Sequence, residues 1–488
     1  MFVSTVVAGR VFTDESGIYY EVPVLLTAQG PVDVLLDYLI EHWDARSPDW
    51  MVKVTASVRL FLAYLDVHAT YPDEQAIFQN FRQRLLTGTV TAATGEDPSG
   101  LWWSARGQKN STRIIRHLTD FFEWWASKGA GKHNPAETWR GSQYDRRLAE
   151  AAYKYRRNKA FLGHTWSTFE ETSRKPGDRA TRGKGHSPPN VEREAAPSFA
   201  EDRILDLVLK GFKVGRRYNY RDMLITLLLN GAGFRVSEPF HLYLWDVMED
   251  PAKAGQALVL IHHPAWGNAP PDPNWLEPSG RQRQGCRTEY LAERFGLSPR
   301  DWGLSTSAAG WKGGMHESQL GGYYKQAYWF VPEFGELFWN IWNCYVEQIL
   351  AIDPSRRNHP FAFMNTMREP VGELYKMGKF EDSHAAAVRR IGLEPAKHLG
   401  TSIHGHRHAY GQRLRKAGVP EEMIRRFMHH SSLESQEVYT AADRAECLEH
   451  IGRAVARLND KTAALRSEII KANHADVLQA ARTPSIST

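Results

Sequence analysis

The chain has 488 residues, of which 42% are hydrophobic and 24% charged, and its net charge is +5. These values indicate a globular protein of two or three domains, and the charge permits a polyanionic partner without requiring one. No apolar run is long enough to span a bilayer, we see no secretory signal, and the three scattered cysteines argue against a disulfide framework or a cysteine zinc site. We therefore expect a protein of the reducing cytosol without a membrane segment.

The first part of the chain is predicted to begin with a strand and to continue as helices. Residues 1–30 contain alternating stretches such as "GIYYEVPVLL", which predict a strand or hairpin extension. Over 31–170 apolar residues recur at helical spacing, most clearly in "STRIIRHLTDFFEWWASKG", and this indicates a small helical domain. The polar face of the last helix carries Arg113 and Arg116, which are candidate DNA contacts.

Residues 171–197 have the composition of a linker. The segment "TSRKPGDRATRGKGHSPPN" is rich in proline, glycine and serine. Two interpretations stay open, a solvated connector or a basic strap that lies on a phosphate backbone. The basic residues available for the second interpretation are Arg174, Lys175, Arg179, Arg182 and Lys184.

A second domain is predicted over 198–442, with an insertion at about 267–310. The segment "YRDMLITLLLNGAGFRVSEPFHLYLWDV" indicates a buried helix, a glycine-containing turn and a second helical start. "QALVLIHHP" and "GGYYKQAYWFVP" read as strands, and "PEFGELFWNIWNCYVEQILAI" reads as a helix. The fold class that follows is mainly α with a small β-sheet, or α+β.

The tail, 443–488, is predicted to form an amphipathic helix. Its apolar residues recur every three, four or seven positions: Leu448, Ile451, Val455, Leu458, Leu465 and Ile469. Packing within the same chain and docking onto a neighbouring protomer both fit this stripe.

The stretch 403–440 is rich in histidine, and three interpretations can be weighed. A metal site would use His404, His406 and His408, but Arg407 lies among them and no carboxylate stands at a ligand spacing. Burial as ordinary core histidines is our preferred interpretation for His406 and His429. A phosphate site is the third, because arginine binds phosphate oxygens bidentately and histidine moves protons near neutrality.

Two motifs in this domain resemble those of the tyrosine recombinases, the phage integrase family. Upstream, "GAGFRVSEPFHLYLWDV" resembles the family's first arginine motif and supplies Arg235 and Glu238. The resemblance covers roughly 198–440, and the helical region before it is similar, more weakly, to the family's core-binding domain. The downstream motif matches in order at His404, Arg407, His408, Ala417, Gly418, His430, Ser431, Ser432, Tyr439 and Thr440.

The resemblance implies a role for each matched residue. Arg235 and Arg407 would clamp the scissile phosphate, His430 would donate a further hydrogen bond, and Tyr439 would attack phosphorus to form a 3′-phosphotyrosyl link. His404 would accept the tyrosine proton, while Glu238 and His408 would support the site. The family also uses a hairpin lysine to protonate the leaving 5′ oxygen; Lys312, in the turn "AGWKGG", is our first choice and Lys325 the alternative.

The resemblance implies a site-specific DNA recombinase or integrase that acts on double-stranded DNA as a tetramer. It would serve a mobile element and act in a prokaryotic cytoplasm. Such strand transfer needs no metal ion and no cofactor. Two alternatives stay open: relaxation of DNA by a type IB topoisomerase-like activity, and a DNA-binding protein with a decayed site. The segment "SLESQEV" before Tyr439 lacks the lysine usual in the topoisomerases, and the complete residue set argues against decay.

Overall fold

The structure of the chain is a computed structural model. It describes residues 3–12, 19–68, 74–91, 94–128, 197–317, 322–366, 368–430, 444–457 and 463–473. The chain divides into two compact units, Met1–Val191 and Glu192–Thr488. Helices alternate with small antiparallel sheets in the described residues, which confirms the α+β class. None of the helices described is both long and apolar enough to be a membrane span.

Within the described residues, the first unit combines a hairpin with four helices. Strands β1 (Ser4–Phe12) and β2 (Tyr19–Thr27) pair antiparallel, with Val7 opposite Val24, and β3 (Gly30–Pro31) pairs with the end of β2. The helices are α1 (Asp33–Glu41), α2 (Pro48–Val67), α3 (Glu74–Thr87) and α4 (Gln108–Ser127).

Helix α4 shows how the sequence pattern builds the core of this unit. Its residues Ile115, Leu118 and Phe122 are buried at helical spacing, and the ring of Phe122 meets the edge of Phe61 on α2 at a centroid distance of 5.5 Å. Arg113 and Arg116 lie on the exposed face of the same helix. The amphipathic pattern read from the sequence is therefore the one that the structure buries.

The second unit is built around a completely buried helix, α5 (Tyr220–Gly231). A helical segment at 201–211 and the short strands β4 (Lys213–Val214) and β5 (Arg217–Tyr218) precede it. A four-stranded antiparallel sheet follows in the order β6 (Val247–Asp250), β7 (Lys253–His262), β9 (Tyr323–Gln326), β8 (His316–Glu317). In the part of this unit that the structure describes, the further α-helices are α6 (Arg287–Phe295), α7 (Pro332–Leu350), α8 (Met377–Arg390), α9 (Ile403–Lys416), α10 (Glu421–Phe427), α11 (Arg444–Arg457) and α12 (Ala463–Asn473).

The residues predicted as an insertion, 267–310, carry helix α6 and a small core of their own. Trp275, Tyr290 and Leu291 pack there with Tyr243 and Phe361 of the surrounding domain. The completely buried Arg287 pairs with Asp246, so its charge is compensated inside the core. The segment predicted as an insertion is thus anchored to the rest of the unit by both packing and an ion pair.

The tail helices pack on their own chain. Ile451 of α11 and Leu465 and Ile469 of α12 are buried in the same core as α5. The guanidinium of Arg466 lies 2.6 Å from the carboxylate of Glu333, in the first turn of α7. This arrangement corresponds to the first of the two interpretations of the apolar stripe, packing within one chain.

Candidate active site

The first arginine of the site, Arg235, follows the end of α5 through a tight turn. Gly233 has φ +71°, and a Cβ there would lie 2.3 Å from the ring of Tyr410, so only glycine fits this close approach. Beyond the turn, the backbone N–H of Arg235 donates to Glu238 at 2.7 Å and its Nη1 donates to the same carboxylate at 3.0 Å. The carboxylate of Glu238 is completely buried, and it therefore fixes the direction of the guanidinium.

Lys325 reaches the same carboxylate from the central strand β9. The register that pairs Ile261 of β7 with Lys325 brings its side chain to Glu238, where Nζ lies 2.7 Å from Oε1. The ammonium is completely buried. Burial lowers the pKa of Lys325 to about 8, against the opposing effect of Glu238 and with help from Arg235 and Arg407. A lysine with this pKa is a suitable proton donor near neutrality.

The two candidate lysines take different positions. The side chain of Lys312 is exposed, whereas its backbone carbonyl accepts hydrogen bonds from Arg235 Nη1 at 3.0 Å and from Lys325 Nζ at 2.6 Å. The geometry therefore favours Lys325, our alternative, over Lys312, our first choice from the sequence. The contribution of Lys312 to the site comes from its backbone.

The second arginine, Arg407, is presented by helix α9 and is nearly buried. Its Nη1 donates to the carbonyl of Gly233 and its Nη2 to the carbonyl of Met428. Burial and the nearby Arg235 lower the pKa of Arg407 to about 10, so it stays charged at neutral pH. Arg235 and Lys325 thus share the buried carboxylate of Glu238, and Arg407 adds a third positive charge nearby. This excess of positive charge suits an anionic phosphodiester.

His430 lies at the mouth of this cluster. It lines a cavity of about 700 Å³ together with Arg407 and His408. Burial, with Arg407 and then Arg235 nearby, lowers the pKa of His430 to about 4, so its ring is neutral at pH 7 and can still donate one N–H. His404, in the first turn of α9, and His408 are both exposed.

The two histidines to which we gave no chemical role are buried structural residues. Asn230 donates to Nδ1 of His406 at 3.1 Å, so Nε2 of His406 carries the proton and donates to Nε2 of His384 at 2.8 Å. His429 has φ +51°, which turns its carbonyl toward Arg235 Nη1 at 3.2 Å. The sequence shows the residue type of His429 but not this backbone conformation, so its contribution through the carbonyl was missed.

Several predicted site residues lie outside the part of the chain that the structure describes. Arg113 and Arg116 lie within it, on the exposed face of α4, where Arg113 donates to Asn110. Among the described residues, no three histidine, cysteine, aspartate or glutamate side chains come together as metal ligands. The predicted residues outside the described ranges are Arg174, Lys175, Arg179, Arg182, Lys184, Ser431, Ser432, Thr440 and the nucleophile candidate Tyr439.

No protein-family model and no curated protein sequence matches the chain. Among solved structures it is similar to a XerH site-specific recombinase bound to difH substrate in a pre-cleavage complex, at 11% identity over 82% of this chain and 78% of that one, with a TM-score of 0.38. It is also similar to XerA recombinase, at 11% identity over 86% and 96% of the two chains, with a TM-score of 0.29. A third is the Tn1549 transposon integrase in complex with transposon right end DNA, at 12% identity over 81% and 98%, with a TM-score of 0.28. At these TM-scores the function has to be argued from the residues of the site.

Proposed function

We propose that the chain is a site-specific DNA recombinase or integrase that cuts and rejoins DNA through a 3′-phosphotyrosyl intermediate. The observation that carries this proposal is that Arg235 and Lys325 both bind the buried carboxylate of Glu238, while Arg407 lies close enough to lower the pKa of Lys325 and lines one cavity with His430. These cations come from distant parts of the chain, and the same chain carries the ordered motif that ends at Tyr439.

The reaction is a transfer of one phosphodiester to the protein and back. The phenolic oxygen of Tyr439 attacks phosphorus and gives up its proton to His404, while Arg235 and Arg407 stabilise the charge on the non-bridging oxygens. The bond from phosphorus to the 5′ oxygen breaks, and Lys325 protonates that oxygen as it leaves. In the reverse step a 5′ hydroxyl, from the same or another strand, attacks the phosphotyrosine and releases Tyr439.

Strand exchange between two duplexes requires several protomers, and we propose a tetramer on DNA. We also propose that the recombinase belongs to a mobile DNA element. Exchange of the tail between protomers would require α12 to leave α7 of its own chain, breaking the ion pair between Arg466 and Glu333. If removal of residues 445–488 left DNA synapsis intact, an exchange role for the tail would be wrong.

The test of the proposed function is Tyr439→Phe. The probe is a duplex selected by the wild-type chain from a random DNA library and nicked near its centre, so that the cleaved product dissociates and the covalent complex accumulates. We expect the wild-type chain to give a protein–DNA band on a denaturing gel, and Tyr439→Phe to give none while binding the duplex nearly as well. A covalent band in the variant would refute the assignment of the nucleophile.

A further inference from the structure

The loop at 310–314 lies directly against the cations of the candidate active site. Ser237 Oγ donates to the carbonyl of Gly310 at 2.5 Å, and the N–H of Gly314 donates to the carbonyl of His429 at 3.1 Å. The loop is thereby fastened at both ends to segments that adjoin the site.

Gly313 shows how closely this loop approaches the site. Its φ is +102°, and a Cβ at this position would lie 2.1 Å from the carbonyl oxygen of His429 and 2.6 Å from Arg235 Nη1. Such distances leave no room for a side chain. The loop backbone is therefore held against Arg235, and the carbonyl of Lys312 is held where it accepts from Arg235 and Lys325.

Trp311 of this loop packs on the ammonium of Lys325. Nζ lies 3.9 Å from the centre of the indole ring, within the range of a cation–π interaction. Besides the hydrogen bond that the indole N–H donates to Met315 Sδ at 3.4 Å, the ring has two imidazole neighbours, His241 and His263, each at a centroid distance of 5.4 Å. Burial, with a smaller effect of nearby cations, lowers the pKa of both histidines, so their rings are neutral near pH 7. Of Lys325, His241 and His263, therefore, only Lys325 presents a charge to the Trp311 ring.

The contacts of Lys325 define the direction of its ammonium group. Glu238 and the Lys312 carbonyl take two of its three N–H groups, and the face of Trp311 restricts the directions left to the third. We propose that Trp311 is a positioning residue, which aims the ammonium of Lys325 at the leaving 5′ oxygen without touching the reacting atoms. This inference rests on the proposed function, because it gives Trp311 a task only if Lys325 donates a proton.

A DNA substrate with sulfur in place of the bridging 5′ oxygen distinguishes a positioning role of Trp311 from a purely structural one. Thiols ionise far more readily than alcohols, so a 5′ sulfur at the cleaved bond leaves as a thiolate and needs no proton from the protein. A residue that acts through Lys325 matters for the oxygen substrate and not for the sulfur substrate. A residue that only supports the fold affects both substrates equally.

The experiment uses the full chain and two nicked duplexes of the selected sequence, which differ only in oxygen or sulfur at the bridging 5′ position. Trp311→Leu keeps an apolar side chain and removes the ring, whereas Trp311→Phe keeps a smaller aromatic face. Rates of covalent complex formation are measured under single-turnover conditions. The ratio of the sulfur rate to the oxygen rate within one preparation does not depend on the fraction of folded protein.

For Trp311→Leu we expect a loss of about 10–100-fold on the oxygen duplex, part of what a general acid contributes, and a change of less than about threefold on the sulfur duplex. Trp311→Phe should fall between Trp311→Leu and the wild type. Trp302→Ala, which removes a partly exposed tryptophan of the same unit, should leave the rate ratio unchanged.

Equal losses on both duplexes, or no loss on either, would overturn the role of Trp311 while the wild-type covalent band upheld the proposed function. A wild-type chain that forms no covalent band with either duplex would refute the proposed function itself.

Discussion

The assignment of the proton donor can be tested by replacing each candidate lysine separately. Lys325→Met retains most of the side-chain volume and removes the ammonium that Glu238 and the Lys312 carbonyl hold. Lys312→Ala is the matched control, because the exposed side chain is removed while the backbone carbonyl that faces the site remains. Comparison of the two variants therefore shows whether the reaction depends on the side chain of Lys325 or on that of Lys312.

The expected magnitude follows from the chemistry of the leaving group. A general acid contributes about 10²–10⁴-fold to the rate, which corresponds to about 3–5 kcal/mol of barrier. We expect a loss of this size for Lys325→Met on a duplex with natural oxygen, and a change within about threefold for Lys312→Ala. Loss of the buried cation also leaves Glu238 with Arg235 as its remaining partner, so the free energy of unfolding should fall by up to about 3–5 kcal/mol.

The assay is the single-turnover rate of covalent complex formation at pH 7, with thermal unfolding of each variant as a check that the protein is folded. The reasoning would be refuted if folded Lys325→Met reacted as fast as the wild type. It would be reversed in favour of our first choice from the sequence if Lys312→Ala lost about 100-fold and Lys325→Met lost little.

Three further predictions concern charge and pH. Because the pKa of Lys325 is lowered to about 8, the rate on oxygen duplexes should decline as pH rises through about 8 and the ammonium is lost, whereas sulfur duplexes should show no such decline. Glu238→Gln removes the group that raises the pKa of Lys325, so the decline in rate should move to lower pH. The reaction at pH 7.5 should also slow about tenfold or more, because Arg235 loses its carboxylate partner. An unchanged pH profile would contradict the pairing of Lys325 with Glu238. Burial lowers the pKa of His384 to about 4 and the pKa of His406 well below its ordinary value. The contribution of these neutral histidines to the free energy of unfolding should therefore be fully present above about pH 6.5 and should fall on acidification. At pH 5.5 the loss should be about 1 kcal/mol per buried histidine. Urea unfolding at pH 7.5 and 5.5 measures this loss, which should be smaller in His406→Gln.

The arginines of the site could be predicted from the sequence because each is part of a local pattern. Arg235 directly follows an apolar helix and stands three residues before Glu238, and Arg407 shares a helical face with His404. The lysine could not be predicted in this way. Lys325 reaches the site because its strand, β9, pairs with β7, where Ile261 lies opposite it. These two strands are separated in the sequence by the segment predicted as an insertion, so their pairing is a long-range contact.

The turn "AGWKGG" led the sequence prediction to Lys312 for a physical reason. Its glycines indicate a turn near the site, and the turn is indeed there, but they allow the backbone rather than the lysine side chain to approach Arg235. The ring contact between Trp311 and Lys325 also joins two segments whose proximity depends on the folded loop. Such contacts arise from packing, and no periodicity in the sequence encodes them.

The position of the last described helix has a consequence for the order in which the protein becomes active during synthesis. Leu465 and Ile469 belong to the core that surrounds the buried helix α5, and α5 leads through a tight turn to Arg235. A ribosome makes these residues after every residue that the proposed reaction uses. The nascent chain therefore holds all of its reactive groups before this part of the core has formed, and under the proposed function we expect cutting of DNA to begin only after this helix has docked.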